Sequence, residues 1–407
     1  MRKYLIEGGA PLFGSVTVDG SKNSALPILF AAITVRDRAE IYNLPDIGDV
    51  RCALDILRTL GVEITQKGDK TTLDMTAIRY ADIPDELTSR LRASTYLLGA
   101  MTARFGTVRL SPFGGCSFSS RPIDLHISAL RSFGATVDGH TINIKRLTPA
   151  EIHLPLPSVG ATVNSLILAA STEGESRICA AAVEPHILDL VDFLRSGGAE
   201  IDIVGNSYLV RGRTLESATA HVRGDMVEAG TYLAAGIATG GRVTVRGVDP
   251  AELGSFLSPL ERAGVRCERG AGFITVTSQP NSPINITTAP YPGFPTDLQP
   301  IIAPLMALKG GTITDTIWRS RFGYLDALLR FGIHSRGRCE RAEIFHSEPK
   351  RAEASSPDLR GGAALVIAAL MAEGESSISG IELIERGYRD LPTKLSRLGA
   401  DIALIDT

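Results

Sequence analysis

The sequence lacks most features that mark a secreted, membrane-bound or nucleic-acid-binding protein. No apolar stretch reaches transmembrane length, and no signal peptide is recognisable at the start. The formal net charge of −3 predicts no basic surface for nucleic acid or lipid headgroups. The five cysteines are far apart in the chain, which argues against disulfides and against a zinc site. We therefore expect a cytoplasmic protein with no metal, no nucleic-acid partner and no membrane contact.

Glycine, in contrast, recurs at a nearly constant spacing and each time follows the same helical pattern. The segments LRTLGVEI (57–64) and LSRLGADI (395–402) are the first and last of six such stretches. The central glycines lie 64 to 73 residues apart, at Gly61, Gly134, Gly198, Gly264, Gly332 and Gly399. Each stands where a helix needs a left-handed C-terminal residue before an alternating strand. A fixed period of this length predicts six copies of one supersecondary unit.

A second glycine signal lies between the first set, for example in ARFGTVRL (103–110) and MAEGESSI (371–378). Each period therefore holds two helices and about four strands, in the order βαβαββ. The helices that precede this second signal are almost entirely apolar, as in residues 165–170, so they should be buried with sheets outside them. Since 407 residues are too many for one core, we expect two domains of three units each.

Two polar loops carry candidate site residues in the first half of the chain. Cys116 follows a Gly-Gly pair in a polar loop, and the nearby Arg121 would favour its thiolate, although a loop cysteine can also have no role. Lys22 lies at the start of a long apolar helix, with Ser21 or Asn23 in position to cap that helix. A helix start with a lysine predicts an anion site, and the alternative is an ordinary solvated lysine.

Asp297 lies in the proline-rich segment APYPGFPTDLQPIIAP (289–304). A carboxylate held rigidly by such a segment suits proton transfer, and it should also cap a helix that starts near Leu298. Four arginines lie beside turns or helix starts, where they could form ordinary salt bridges: Arg92, Arg321, Arg360 and Arg386. If they converge with Lys22 and Arg121, they form a cationic pocket for phosphate and carboxylate groups.

Taken together, these segments resemble the enolpyruvyl transferases, and most closely the branch that acts on UDP-N-acetylglucosamine in peptidoglycan precursor synthesis. The resemblance runs from Ile6 to Ala400. It rests on nine blocks in order: SKNSALP, RAS, GGC with RPIDLH, PSVGAT, VEAGTYL, YPGFPTDLQ, RSRF, DLRGGAAL and RGY. The sister branch that makes 5-enolpyruvylshikimate 3-phosphate shares the fold but is not expected to have the cysteine loop or RPIDLH.

The resemblance implies an α/β fold of two inside-out α/β barrel domains, built from six βαβαββ repeats with three in each domain. The chain would start in one domain, cross to the other and return. This organisation assigns residues 1–20 and 226–407 to one domain and residues 21–225, with the Cys116 loop, to the other. The active site would lie in the cleft between the domains.

The resemblance also implies the chemistry and the residues that perform it. Cys116 would protonate the methylene carbon of phosphoenolpyruvate, and Asp297 would accept the proton of the attacking hydroxyl. Lys22 and Arg386 complete the expected catalytic set. Phosphoenolpyruvate would be bound by Lys22, Asn23, Arg121, Arg321, Arg360 and Arg386. The nucleotide would be bound by Asn23, Arg92, Arg121, Pro122, Ile123, Asp124, Leu125, Ser158, Val159, Gly160 and Ile317. No metal or organic cofactor is required.

Several positions depart from the pattern of this family, and most lie around the acceptor or the domain contacts. They are Arg319 where a glutamate is usual, His186, Met226, Leu383 and Leu156. The expected reaction is enolpyruvyl transfer to the 3-hydroxyl of UDP-N-acetylglucosamine. A second hypothesis is transfer to another uridine nucleotide, such as the 3′-hydroxyl of UMP in nucleoside-antibiotic biosynthesis. A third is a non-catalytic paralogue that binds a nucleotide sugar, against which the retained Lys22, Cys116, Asp297 and Arg386 speak.

Overall fold

The computed structural model describes residues 2–114 and 122–406, and these divide into two compact units. The central unit comprises residues 20–114 and 122–223, and the terminal unit comprises residues 2–19 and 224–406. Cys116 and Arg121 are outside the described residues. None of the helices in the described part of the chain is long and apolar enough to span a membrane.

The described residues of the terminal unit form three four-stranded sheets. In spatial order, the strands of each sheet are Glu353–Ser355, Gly374–Ser379, Arg2–Gly8 and Asp401–Asp406; Cys267–Gly270, Phe273–Val276, Arg242–Arg246 and Phe13–Thr17; and Ile284–Thr288, Gly311–Asp315, Arg341–Ile344 and Ser335–Arg336. The α-helices are Met226–Ala238, Gly254–Arg262, Gln299–Ile302, Tyr324–Leu328, Leu359–Met371, Ile381–Ile384 and Leu391–Arg397. Short 3-10 helices cover Pro250–Leu253, Thr296–Leu298, Ala303–Leu308 and Leu329–Phe331.

The described residues of the central unit form two four-stranded sheets and one three-stranded sheet. Their strands are Glu200–Val204, Ser207–Gly212, Gly174–Cys179 and Glu151–His153; Ala218–His221, Arg38–Tyr42, Lys70–Asp74 and Glu63–Lys67; and Thr107–Arg109, Thr141–Asn143 and Thr136–Asp138. The α-helices are Lys22–Ala31, Gly48–Thr59, Asp85–Thr88, Leu97–Phe105, Asp124–Ser132, Val159–Ala170 and Pro185–Ser196. The 3-10 helices are Ala32–Thr34 and Arg92–Tyr96.

One pairing pattern recurs in these sheets. Each of the five four-stranded sheets contains one parallel pair at an edge, followed by two antiparallel pairings. The three-stranded sheet contains only the two antiparallel pairings. In all six sheets, the last antiparallel strand begins two or three residues after one of the periodic glycines.

The positive φ that the sequence predicts at the periodic glycines is confirmed. The φ angles at all six lie between +74° and +116°, a region that residues with a Cβ rarely adopt. Each helix can therefore end abruptly and turn into the edge strand that follows. The regular spacing of these glycines thus marks a recurring helix-to-strand turn.

The almost wholly apolar helices lie in the centre of each unit, as the sequence predicts. Residues 161–170 of the helix Val159–Ala170 are all buried, and so are all but the first residue of Met226–Ala238. In the central unit Val159–Ala170 packs against Leu97–Phe105, and in the terminal unit Met226–Ala238 packs against Leu359–Met371. Burial on every side requires apolar side chains around the whole helix, which explains the absence of a polar face.

Candidate active site

The predicted site residues that the structure describes fall into two groups, one in each unit. Lys22, Asn23, Arg92, residues 122–125 and residues 158–160 belong to the central unit. Asp297, Ile317, Arg321, Arg360 and Arg386 belong to the terminal unit.

Lys22 is the first residue of the helix Lys22–Ala31, and its side chain is mostly buried. Its Nζ lies 3.2 Å from Oδ2 of Asp49, which is in the first turn of the helix Gly48–Thr59. The alternative of a solvated lysine was therefore wrong. Ser21 is the N-cap residue, but among the described residues it makes no side-chain capping bond, and Asn23 lies inside the helix. Ser21 therefore occupies the predicted N-cap position, but the side-chain bond expected of a capping residue is not formed within the described part of the chain.

The three nucleotide-binding segments predicted in the central unit meet around His126. This side chain is only 5% exposed, and a Cβ added to Gly160 would lie 2.6 Å from its ring. Burial and the positive charge of Arg92 lower the pKa of His126 to about 4, although the carboxylate of Asp124 acts in the opposite direction. Arg92, Asp124 and Gly160 are thus brought together, and His126 is neutral near pH 7.

Helix starts position the remaining residues of these segments. The side chain of Ser158 accepts a 3.4 Å hydrogen bond from the Ala161 amide at the start of Val159–Ala170. Asp124 is the first residue of Asp124–Ser132 and is exposed, as is Pro122. Ile123 and Leu125 are half-buried. Polar side chains and two helix N-termini therefore stand beside apolar surface, a combination that suits a phosphorylated ligand with a flat ring.

Asp297 is held by two arginines in the terminal unit. Arg321 Nη1 donates to Asp297 Oδ1 at 2.7 Å, and Arg360 Nη2 lies 3.8 Å from Asp297 Oδ2. The two guanidinium groups are almost fully buried, whereas the carboxylate is 32% exposed. The predicted helix-capping role of Asp297 was wrong, because Asp297 lies within the 3-10 helix Thr296–Leu298, whose N-cap is Pro295.

Arg360 has hydrogen-bonding capacity that the described residues do not use. It is 2% exposed, its guanidinium carbon lies 5.4 Å from the centre of the Tyr388 ring, and neither terminal nitrogen has a hydrogen-bond partner among the described residues. Burial opposes its charge, but Tyr388, Asp297 and Asp225 raise the pKa of Arg360 above its ordinary value. A buried cation with unused donors is costly unless an anion completes it, so this guanidinium is suited to a phosphate or carboxylate.

A buried aspartate fixes the segment that carries Arg321. Asp315 accepts hydrogen bonds from Thr288 Oγ1 at 2.7 Å and from Thr296 Oγ1 at 2.8 Å. It also accepts from the backbone amides of Ile317 and Trp318. Asp315 therefore connects the strand end before Asp297 with the turn before Arg321, and it places Ile317 in that turn.

The remaining predicted residues are Arg386 and those outside the described residues. Arg386 is half-buried in the turn after the helix Ile381–Ile384, two residues before Tyr388. Cys116 and Arg121 are not among the described residues, so their predicted roles stay predictions. The four cysteines that are described, at positions 52, 179, 267 and 339, are free thiols.

The departures from the family pattern have ordinary surroundings. Arg319 is exposed and forms an ion pair with Glu340. His186 is buried near the start of the helix Pro185–Ser196, and Met226 is the first residue of Met226–Ala238. Leu383 is half-buried and Leu156 is 55% exposed. The reversed charge at Arg319 is therefore compensated locally.

Sequence reasoning missed five residues that organise the two groups, one of which is Asp315, described above. Tyr388 and His126 lie in the sequence blocks RGY and RPIDLH, and membership of these blocks could have identified both as candidate site residues. Asp49, which holds Lys22, and Asn164, which hydrogen-bonds His126, lie outside any motif singled out. Only their contacts in the folded chain identify them.

Comparison with known proteins gives one consistent answer. The model of the EPSP synthase (3-phosphoshikimate 1-carboxyvinyltransferase) family matches residues 6–395. The chain is 40% identical to "UDP-N-acetylglucosamine 1-carboxyvinyltransferase 3" of Caldanaerobacter subterraneus subsp. tengcongensis over 416 residues, with 100% of each chain covered. It is 38% identical to "UDP-N-acetylglucosamine 1-carboxyvinyltransferase" of Halothermothrix orenii over 411 residues, with 99% of each covered.

Solved structures agree with this result. The enolpyruvyl transferase NikO from Streptomyces tendae superposes with a TM-score of 0.89 at 28% identity, covering 100% of this chain and 99% of NikO. EPSP synthase from Acinetobacter baumannii gives 0.73 at 19% identity with 100% of each chain covered, which supports the fold alone. With a family model over almost its whole length and relatives near 40% identity from end to end, the chain belongs to the EPSP synthase family, the enolpyruvyl transferases.

Proposed function

We propose that this protein transfers the enolpyruvyl group of phosphoenolpyruvate to the 3-hydroxyl of UDP-N-acetylglucosamine and releases phosphate, a step in peptidoglycan precursor synthesis. The observation that carries the proposal is the paired Asp297–Arg321 with the buried Arg360, which lies 3.8 Å from Asp297 and whose terminal nitrogens have no hydrogen-bond partner among the described residues. This arrangement offers a carboxylate base beside cationic donors. The names of the full-length relatives identify the acceptor.

In the proposed reaction, the Cys116 thiol gives its proton to the methylene carbon of phosphoenolpyruvate. The acceptor hydroxyl adds to C2 and loses its proton to Asp297, which produces a tetrahedral ketal. Loss of phosphate from C2 and of a proton from the new methyl group then restores the double bond. Lys22, Asn23, Arg121, Arg321, Arg360 and Arg386 hold the phosphate and carboxylate, and fixed cations of this kind stabilise the charge that develops during transfer.

Acceptor binding is assigned to the central unit, with one residue from the terminal unit. Arg92 and Asp124 act electrostatically on His126, Gly160 lies against its ring, and Ser158 lies two residues before Gly160. Together with Asn23, Arg121–Leu125, Val159 and Ile317, they form the proposed nucleotide site. Neither a metal nor an organic cofactor has a part in this scheme.

The proposal extends to architecture and location. We assign the two units to the two inside-out α/β barrel domains of the family, with three βαβαββ repeats each. The six sheets, each completed by a strand after a periodic glycine, support the repeat assignment. The free state of the four described cysteines is in keeping with a reducing compartment such as the cytoplasm.

The direct test is phosphate release from phosphoenolpyruvate, with UDP-N-acetylglucosamine and UMP as parallel acceptors. Turnover with the nucleotide sugar, absent in Cys116→Ser, is the expected result. Turnover with UMP alone would contradict UDP-N-acetylglucosamine as the acceptor but would still support enolpyruvyl transfer. Binding of UDP-N-acetylglucosamine without turnover in any mixture would indicate the non-catalytic paralogue and contradict the enzymatic proposal.

A further inference from the structure

The side-chain amide of Asn164 connects three segments of the central unit, and its orientation is dictated by the backbone. Its Oδ1 accepts a 2.8 Å hydrogen bond from the Gly99 amide, and its Nδ2 donates to the Thr95 carbonyl at 3.1 Å. An amide N–H can only donate and a carbonyl can only accept, so the oxygen must face Gly99 and the nitrogen must face Thr95. Asn164 itself is 0% exposed.

This orientation determines the state of His126. The remaining N–H of the Asn164 amide points at His126 Nδ1, 2.6 Å away. Nδ1 must therefore accept, which requires a neutral ring with its proton on Nε2. Among the described residues, the charged groups that act on this ring are Arg92 and Asp124. Burial and the charge of Arg92 lower the pKa of His126 by more than Asp124 raises it, so the ring is neutral.

The same contacts leave no space for ordinary side chains at two neighbouring positions. A Cβ on Gly99 would lie 2.6 Å from Asn164 Oδ1, and a Cβ on Gly160 would lie 2.6 Å from His126 Cε1. The glycines thus allow the backbone to approach the polar pair closely. His126 and Asn164 form a packed pair between the 3-10 helix Arg92–Tyr96, the helix Asp124–Ser132 and the start of Val159–Ala170.

Each of these segments carries residues assigned above to the nucleotide. We propose that His126, acting as a neutral hydrogen-bond acceptor for Asn164, is a positioning residue that sets Arg92, Asp124 and the Ser158–Gly160 turn in the arrangement that binds a uridine nucleotide. The inference rests on the proposed function, because it assumes that these segments bind the acceptor. It assigns the pair no contact with the reacting atoms.

The test compares two replacements of the same histidine. His126→Asn places an amide oxygen close to the Nδ1 position and keeps an acceptor for Asn164, whereas His126→Leu fills similar space without one. We expect His126→Leu to raise the KM for UDP-N-acetylglucosamine roughly tenfold or more, with kcat and the KM for phosphoenolpyruvate nearly unchanged. His126→Asn should restore most of the nucleotide affinity. His153→Leu, an exposed histidine of the same unit, is the control.

Direct binding of UDP-N-acetylglucosamine by calorimetry separates failure of this inference from failure of the proposed function. If the unmodified protein binds no uridine nucleotide, the proposed function fails and this inference with it. If it binds and His126→Leu binds equally well, the positioning role alone is overturned. Equal losses in His126→Leu and His126→Asn would also overturn it, since both then reflect loss of the ring and not of the acceptor.

A spectroscopic measurement keeps the inference falsifiable if His126→Leu does not fold. Nitrogen NMR of the unmodified protein labelled at its histidines reports which ring nitrogen carries the proton, and His126→Asn assigns the signal. The expected result is a neutral ring at pH 7 with the proton on Nε2. A proton on Nδ1, or a charged ring, would overturn the proposal without use of the leucine variant.

Discussion

The stability of the central unit should depend on pH through His126. This side chain is 5% exposed, and burial together with Arg92 lowers its pKa to about 4 in the folded protein. In the unfolded chain, a histidine titrates near its ordinary value of 6.5. The unfolded chain therefore takes up a proton at this position at a higher pH than the folded protein does.

The sign follows from this difference in bound protons. Because the unfolded state binds more protons between pH 6.5 and about 4, stability rises with pH across this window. The contribution is fully present above pH 6.5 and is lost as the pH falls towards 4. The full effect of such a shift is about 3 kcal/mol, and the part expressed between pH 8 and pH 5 is about 2 kcal/mol.

The assay compares the unmodified protein with His126→Asn, which has no titrating group at this position. Urea unfolding is monitored by hydrogen exchange of the amides in the helix Val159–Ala170, which reports on the central unit by itself. This choice avoids treating a two-unit chain as one cooperative transition. Other titrating groups are common to both proteins and cancel in the difference. One example is the buried Glu228: burial raises the pKa of this carboxyl to about 7, although Lys394 acts in the opposite direction.

Between pH 8 and pH 5, the unmodified protein should lose about 2 kcal/mol more stability than His126→Asn. Equal losses, within about 0.5 kcal/mol, would refute the reasoning, since they would show that the folded state protonates His126 as readily as the unfolded state. A larger loss in the variant would reverse the sign and indicate that His126 is charged in the folded protein.

Three further predictions follow from the two groups of residues. Asp297→Asn should retain binding of both substrates, measured by calorimetry, but lose phosphate release, because the amide cannot accept the hydroxyl proton; turnover like that of the unmodified protein would remove Asp297 from the mechanism. Gly160→Ala should weaken UDP-N-acetylglucosamine binding about tenfold, because the added Cβ would collide with His126. The control Gly254→Ala has open space around its Cβ and should leave binding unchanged, so equal affinities of the two variants would contradict the packing argument. Asp49→Asn should release Lys22 and slow the alkylation of Cys116 by fosfomycin, a phosphoenolpyruvate mimic, with little change in nucleotide binding. Mass spectrometry measures the rate of adduct formation, and an unaltered rate would mean that Asp49 does not hold Lys22 in position for the anion.

Local patterns in the sequence predicted the parts of this protein that depend on local physics. The six glycines could be recognised because a helix that turns directly into a strand needs a positive φ, and that requirement is met by one residue type. The buried helices could be recognised because complete burial demands apolar residues on every side. The candidate residues could be listed because each lies in a recognisable block of sequence.

Contacts between distant segments were decided only by the tertiary structure. The capping role expected for Asp297 was wrong, because a helix start in the sequence does not reveal that Arg321, 24 residues away, binds this side chain. Ser21 takes the predicted N-cap position without the side-chain bond expected of it. Asp49 and Asn164 carry no local signal at all, since their functions depend on neighbours 27 and 38 residues away. The sequence by itself determined the repeating turns and the inventory of chemical groups, and the fold decided which of those groups meet, because hydrogen bonds and ion pairs act through space rather than along the chain.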